Sequence, residues 1–454
     1  MGNIERCERK RLRFSPVGPM KCTTKHHKSA KIVFLSPGDP RDRTQWSGTI
    51  NAIFVALQNR DGNVRFITGG VLELMGRAAR KLSSLVGINL QLRYSKPFGW
   101  LAGWWASARI WTLKADAIVA VAASNYVAFL RTRRPIIYIS DATFAAIERL
   151  YPEFRTLPAW LRRDGNDLER RSLRRSSHVI YPSEWARRSA VEDYGVDDRI
   201  IHVLPFGPNL SRELLGKFRV VKTADFANSL RILFVAVDWE RKNGDLVLEI
   251  GRALRRAGLP CELFLVGRIP ATVRTGNGIN VVGFLDKNDP ADLTKLCALY
   301  EKADFFIMPT TADAYGIVFS EAQAFGCPSI TFDVGGTSTA VLDNETGIVL
   351  PLTAKAEDFA RRVEQLVRDP SSYETMSRNA RRRYEQSANW EAWAETILQL
   401  ARPPQHPKPR ETDRGAGVSR HANCALQIFR PWLLPPGSPQ ELRRYDPRGA
   451  KLRP

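Results

Sequence analysis

The chain has 454 residues, too many for one typical domain, so two or three are expected. Its 44% hydrophobic and 25% charged content reads as soluble and globular. The net charge of +21 is uneven, with fourteen of the excess charges in residues 1–31 and 401–454, and no binding motif accompanies them, which argues against a nucleic-acid reader.

Residues 1–30 are polar and basic, without periodicity, and predict a disordered extension. They lack an apolar core, so no cleaved secretion signal is expected. The fold should begin at Lys31, where KIVFLS (31–36) suits a buried parallel strand and PGDPRDRTQWSGT follows as a loop. Gly48 and Thr49 then open a helical pattern over 49–59, and taken alone Gly48 is a turn glycine. Strand-like runs follow at 63–69, 89–94 (NLQLRY), 116–124, 135–140 (PIIYIS), 178–183 and 200–206, separated by helical stretches. This alternation predicts an open parallel sheet covered on both faces, and a first domain at 31–208.

Within that domain, FGWLAGWWASARIWTL (98–113) is the nearest approach to a membrane span, but it is too short and holds Arg109. Trp100, Trp104 and Trp111 recur at helical spacing and predict a buried or half-buried helix. A helix dipping into a membrane interface is the alternative, and the basic ends keep peripheral contact with an anionic membrane open. Asp141, after PIIYIS, fits an N-cap, with Ser140, of a helix starting near Ala142. Ser183 is predicted to cap the helix after HVIYPS. The arginines crowded into 155–177 predict a solvated helical face.

Residues 209–229 read as a linker, and a second α/β domain is predicted over 230–387. It opens with LRILFVAVD (230–238), followed within four residues by Arg241 and Lys242. Fixed cations after a strand can stabilise negative charge on a departing group. Further runs lie at 260–267, 279–286, 303–309 (ADFFIMP), 328–333 and 347–352. After ADFFIMP comes DAYGIVFSEAQAFGCP (313–328), a loop and an Ala-rich helix. Its Asp313 and Glu321 stand eight positions apart near the positive end of that helix, where backbone N–H groups suit a diphosphate. Acidic residues at such an end are also plain stabilisers. A last helix is expected at 388–400, and a disordered tail at 401–454, where ten prolines interrupt any core. The six cysteines are scattered without metal-ligand spacing, which supports neither zinc nor a disulfide framework and fits a reducing cytoplasm; Cys261, Cys297 and Cys327 are predicted core residues.

Together WSGT (46–49), WERKNG (239–244) and DAYGIVFSE (313–321) resemble glycosyltransferase family 4, and the resemblance covers residues 31 to about 400. It implies an α/β fold of two Rossmann-like parallel-sheet domains facing across a cleft (GT-B), with the last helix crossing back to the first domain. It implies a retaining glycosyltransferase that moves a sugar from a nucleotide-diphosphate sugar to a glycan, lipid or small-molecule acceptor, as in polysaccharide biosynthesis, without a metal or other cofactor. Arg241 and Lys242 would stabilise the leaving diphosphate, helped by the N–H groups of Gly316, Ile317 and Val318. Asp313 would hold the sugar and Glu321 the ribose. Gly48 and Thr49 would let backbone approach the donor phosphate or acceptor, Phe284 would contact the base, and Asp141 would position the acceptor hydroxyl. The family has Glu where this chain has Asp313, which leaves sugar specificity open. A non-catalytic binder of the same fold and a nucleotide-sugar epimerase are the alternatives; the latter needs acid and base groups, for which His178 and His202 are the histidines of the first domain. The expected location is cytoplasmic, with contact at the inner face of the cell membrane open.

Overall fold

The computed structural model describes residues 30–43, 45–60, 62–85, 87, 89–218, 222–226 and 229–402. All of them belong to one compact unit ending at Pro403. The basic extension and the Pro-rich tail expected from sequence lie outside the described residues, apart from Ala30, Ala401 and Arg402.

Short apolar runs build the first sheet: β1 (Ile32–Ser36), β2 (Val64–Thr68), β3 (Ala117–Val121), β4 (Ile136–Ile139), β5 (His178–Tyr181) and β6 (Ile201–Val203). They pair in parallel in the order β2-β1-β3-β4-β5-β6. Crossover helices cover both faces of such a sheet, so β1, β3 and β4 are buried at every position. The second sheet repeats the plan with β7 (Leu230–Ala236), β8 (Cys261–Gly267), β9 (Ile279–Gly283), β10 (Phe305–Ile307), β11 (Ser329–Phe332) and β12 (Gly347–Leu350), in the order β12-β11-β10-β7-β8-β9. The two-lobed parallel architecture is therefore as the sequence predicts, and Cys261, Cys297 and Cys327 are buried thiols.

Two expectations fail. NLQLRY at 89–94 is not a strand but leads into a 3-10 turn at Leu92–Tyr94. Its side chains find partners on the two short helices that follow β4: Asn89 donates to the Glu153 carbonyl and to Thr156 Oγ1, both at 3.1 Å, and the Tyr94 ring stands 5.1 Å from Phe144 and 5.9 Å from Phe154. The tryptophans of 98–113 are the second correction. The run does form a helix, but Trp100, Trp104 and Trp111 are exposed. The helix buries its small residues instead, because a Cβ on Gly103 would come within 2.8 Å of Phe129, and one on Gly99 within 2.8 Å of Leu168.

The lobes are tied at Phe206, just beyond β6. Its ring lies 5.7 Å from Trp46 of the first lobe, 5.5 Å from Tyr315 of the second, and 5.5 Å from Trp390. Its carbonyl accepts from Ser320 Oγ at 2.7 Å and from the Tyr315 hydroxyl at 3.3 Å. The last helix, Trp390–Ala401, packs on the Thr49–Arg60 helix, and Trp390 Nε1 donates to the Pro208 carbonyl at 2.8 Å. The chain thus returns to the first lobe as expected.

The arginine-rich helix, Ala159–Arg175, turns Arg163, Arg171, Arg174 and Arg175 to solvent but buries Glu169. Both Glu169 carboxyl oxygens lie 3.2 Å from the Tyr138 hydroxyl on β4, and burial pushes the acid up to about 8. A carboxyl raised in the folded state favours folding while it stays protonated. The contribution is complete below the ordinary carboxylate range and is lost as pH rises toward 8, at no more than about 1.4 kcal/mol per pH unit. Glu169→Gln should remove this part of the pH dependence, so that urea midpoints between pH 5 and pH 9 fall less steeply than in the wild type; parallel curves would refute the assignment.

Candidate active site

In each sheet the strand order reverses beside the first strand of the lobe, between β1 and β3 in one and between β7 and β10 in the other. Open α/β sheets bind ligands beyond the carboxyl ends of strands at such a reversal. Each predicted charged residue other than Glu321 follows one of these strand ends or that of the adjacent β4.

On the second lobe, the loop after β7 carries Arg241 and Lys242, and the loop after β10 carries Asp313. The two loops are 71 positions apart in sequence but adjacent in space, because β10 pairs with β7. The Arg241 carbonyl fixes them, accepting from Thr311 N at 2.9 Å and from its Oγ1 at 3.0 Å. Arg241 spans the pair of loops, with Nε on Asp238 at 2.9 Å and Nη1 on the Ala312 carbonyl at 2.7 Å. Lys242 Nζ is bonded to Asp313 Oδ2, and these side chains are only 12% and 13% exposed. Burial lowers the Lys242 pKa, and the Asp313 carboxylate opposes the shift. Gly316 (φ 85°) then turns the chain into the Ile317–Ala324 helix, where a Cβ would meet the Phe319 ring at 2.6 Å. The first N–H groups of a helix lack intrahelical acceptors, and here they adjoin the Lys242–Asp313 pair.

Glu321, in the second turn of that helix, is completely buried. One of its oxygens binds Lys287 and the other accepts from the Tyr300 hydroxyl at 3.1 Å. Lys287 follows Phe284, which is 55% exposed beyond Gly283 at the end of β9. Ile317 and Val318 are half-buried.

On the first lobe, Thr143 rather than Ser140 or Asp141 caps the next helix, accepting from Ala146 N at 3.1 Å. Asp141 is therefore released from that role, and its Oδ2 accepts from Trp46 Nε1 at 2.9 Å. Burial pushes Asp141 up to about 6; the Trp46 bond opposes this and the nearby Asp313 carboxylate adds to it. Ser183 does cap its helix, as predicted, accepting from Ala186 N at 3.2 Å. Gly48 sits at φ 86° against the Arg43 carbonyl and the Asn209 amide, both 3.3 Å from where a Cβ would stand. Thr49 is buried as the first residue of its helix.

The lobes meet over this constellation through Tyr151, whose hydroxyl accepts from Ala314 N at 2.9 Å while the Arg241 guanidinium stands 5.8 Å from its ring. Asp141, Asp313, Arg241 and Tyr151 are thus brought together from both lobes. Of the other residues gathered here, Trp46 belongs to the WSGT motif, whereas Tyr151, Lys287 and Tyr300 stand in none of the three motifs. His178 and His202 are not brought to the site, since His178 opens β5 and their rings bond to one another at 3.1 Å.

Two parallel-sheet lobes with strand ends converging on one set of charges define a GT-B fold. A solved sucrose-phosphate synthase from Thermosynechococcus elongatus shares it, with a TM-score of 0.58 at 18% identity over 82% of this chain and 98% of that one. So does HepE of Anabaena in complex with UDP and glucose, with a TM-score of 0.52 at 17% identity over 82% of this chain and 99% of that one. The family model described as Glycosyltransferase Family 4 matches residues 50–212, and the one described as Glycosyl transferases group 1 matches 221–383, one on each lobe. The chain belongs to glycosyltransferase family 4. Among curated relatives, a D-inositol 3-phosphate glycosyltransferase of Gordonia bronchialis is 24% identical over 326 residues, 67% of this chain and 68% of the relative. Six further relatives of that description are matched over 54 to 65% of their own length.

The Trp46 bond favours the charged form of Asp141, so Trp46→Phe should move the Asp141 midpoint upward from about 6. Carboxyl carbon NMR across pH 4 to 8 on the variant and the wild type measures it, and an unmoved or lowered midpoint contradicts the geometry.

Proposed function

We propose that this chain is a retaining glycosyltransferase that transfers a sugar from a nucleotide-diphosphate sugar to an acceptor hydroxyl in the cleft between its lobes. The observation that carries this reading is the buried Lys242 cation, held with Arg241 at the mouth of the Gly316 turn and opposite Asp141. A nucleoside diphosphate gains negative charge as the glycosidic bond breaks. Lys242 and Arg241 meet that charge with groups already in place, so little reorganisation is needed as it develops. Arg241 grips oxygens in a forked geometry and Lys242 acts as a point charge. The N–H groups of Gly316, Ile317 and Val318 add to them.

Asp313 accepts from a hydroxyl of the donor sugar while remaining beside Lys242, and its shorter side chain sets how near the sugar stands. Glu321 accepts from the ribose, with Lys287 yielding one carboxylate oxygen as the nucleotide enters. Phe284, exposed beyond β9, offers an apolar face to the base. Asp141, ionised above about pH 6 and oriented by Trp46, accepts from the acceptor hydroxyl. Gly48 and Thr49 lie next to that position and keep the backbone close. The cations and the helix end supply the countercharge that a metal provides in other transferases, so activity should persist in EDTA. UDP, bound by the Anabaena neighbour, is the first nucleotide to test.

Among the described residues, the site carries no pair of histidines for proton abstraction and return, since His178 and His202 bond to each other on the sheet; that favours transfer over epimerisation. Lys242→Ala should lower transfer by roughly 10² to 10³, and Glu321→Ala should abolish calorimetric binding of the matching nucleotide among UDP, GDP and ADP. Nucleotide binding by the wild type without transfer to any of a pool of acceptors would instead establish a non-catalytic binder.

A further inference from the structure

Among the described residues, thirteen large apolar side chains are exposed, and eight of them lie between Leu74 and Trp111. They belong to two neighbouring elements, α1 (Val71–Ser84) with Leu85 just beyond it, and α2 (Lys96–Leu113). Both helices pack on the Leu92–Tyr94 turn, and Gly76 of α1 faces the Phe98 ring of α2. Leu74, Met75, Leu82 and Leu85 stand outward on the first. On the second, Trp100, Trp104 and Trp111 are 56%, 57% and 84% exposed, with Leu101 beside them.

The polarity of α2 is inverted relative to an ordinary surface helix. Its buried stripe is Gly99, Ala102, Gly103, Ala106 and Ile110, and its outward stripe carries the tryptophans. The small stripe is required by packing, since Phe129 and Leu168 leave no room for a Cβ at the glycines. Nothing in the packing requires tryptophan outside. Isolated exposed apolar residues are ordinary, but eight of them on two neighbouring helices mark an interaction surface. Among the described residues, no helix is long and apolar enough to cross a membrane, so this one does not act as a span.

Charge selects the occupant. Residues 71–114 contain seven Lys or Arg and a single acid, Glu73, which accepts from the Tyr126 hydroxyl at 2.8 Å. A second copy meeting this surface across a two-fold axis would set like charges face to face, and the chain's own ends, each with an excess of seven positive charges, would be repelled in the same way. An anionic partner is favoured. The outward faces of the two helices carry the tryptophans together with the exposed Arg80, Arg109 and Lys114. Indoles settle at the headgroup level of a bilayer and basic side chains reach its phosphates.

We propose that the outward faces of α1 and α2 seat this protein on an anionic lipid bilayer, with Trp100, Trp104 and Trp111 inserted at the headgroup level. α1 leaves the carboxyl end of β2 and α2 leads back to the amino end of β3, so the seat begins at the end of the lobe that holds the candidate active site. The inference stands on the surface itself and does not rest on the transfer reaction.

Flotation of the full chain with vesicles of phosphatidylcholine containing about 30% phosphatidylglycerol tests it. The wild type should float with these vesicles, bind pure phosphatidylcholine at least roughly tenfold more weakly, and lose binding to the mixed vesicles by roughly tenfold or more in the Trp100→Ser/Trp104→Ser/Trp111→Ser variant. Circular dichroism verifies that the variant is folded; should it not be, Trp111→Ser alone serves, together with quenching of wild-type tryptophan fluorescence by brominated acyl chains. Vesicle binding unchanged by the substitutions would assign the interaction to the basic ends and overturn the proposal. So would absence of binding, equal binding to neutral vesicles, or a dimer that the substitutions dissociate without any lipid affinity.

Discussion

Lys242 is paired with Asp313 in a place that water scarcely reaches, and the architecture around it follows from keeping that pair together. Burial lowers the Lys242 pKa and so favours the neutral amine. The Asp313 carboxylate opposes this, and the pairing exists only because β7 and β10 lie side by side where the strand order reverses. A buried ion pair contributes little net stability, since desolvation consumes most of the Coulomb attraction. Its value here is readiness. A cation held out of water interacts with a nearby anion more strongly than a hydrated surface lysine does.

The loops that carry the pair are held by backbone contacts for which side chains leave no space. A Cβ on Gly335 would lie 2.1 Å from the Asp313 carbonyl, and one on Gly336 would lie 2.1 Å from the Ala314 carbonyl. On the far side, Tyr151 of the first lobe accepts from Ala314 N, so the segment 313–315 is fixed by its own lobe below and by the opposite lobe above. Phe206 provides the second tie with its ring and its carbonyl. The Lys242–Asp313 pair of one lobe is therefore tied to the other lobe through these contacts, and Asp141 registers the Asp313 carboxylate.

What could be read from sequence was what depends on short range. Buried parallel strands appear as apolar runs, and all twelve lie within runs that stand out; Arg241, Lys242 and Asp313 follow such runs, and Glu321 stands in the second turn of the helix after one. What could not be read depends on partners distant in sequence. Lys287 reaches Glu321 across 34 positions and Tyr151 reaches Ala314 across 163, and neither leaves a local pattern. NLQLRY had strand-like alternation that packing against Phe144 and Phe154 claimed instead. The tryptophans at 100, 104 and 111 had the spacing of a buried stripe, but spacing gives only a common face, not its direction. The glycines and alanines between them held the answer, because a face of small residues is the one that allows close approach.

The turn at Trp46, Ser47 and Gly48 departs most clearly from local rules. All three residues are left-handed, at φ 49°, 56° and 86°. Glycine takes that region freely, whereas for Trp46 and Ser47 it costs of the order of 1 kcal/mol or more each. Such a conformation persists only where its surroundings over-determine it. Asn209 Nδ2 bonds the Ser47 carbonyl at 2.5 Å, and Phe206 packs edge-on against the indole. The result is an indole N–H held on Asp141 from a loop that glycines alone would leave free to wander. With that bond the carboxylate keeps a fixed orientation despite its burial; without it, the same burial would push the acid further toward its protonated form. The strain at 46–48 and the chemistry of Asp141 are therefore two sides of one arrangement, paired with the buried cation across the cleft.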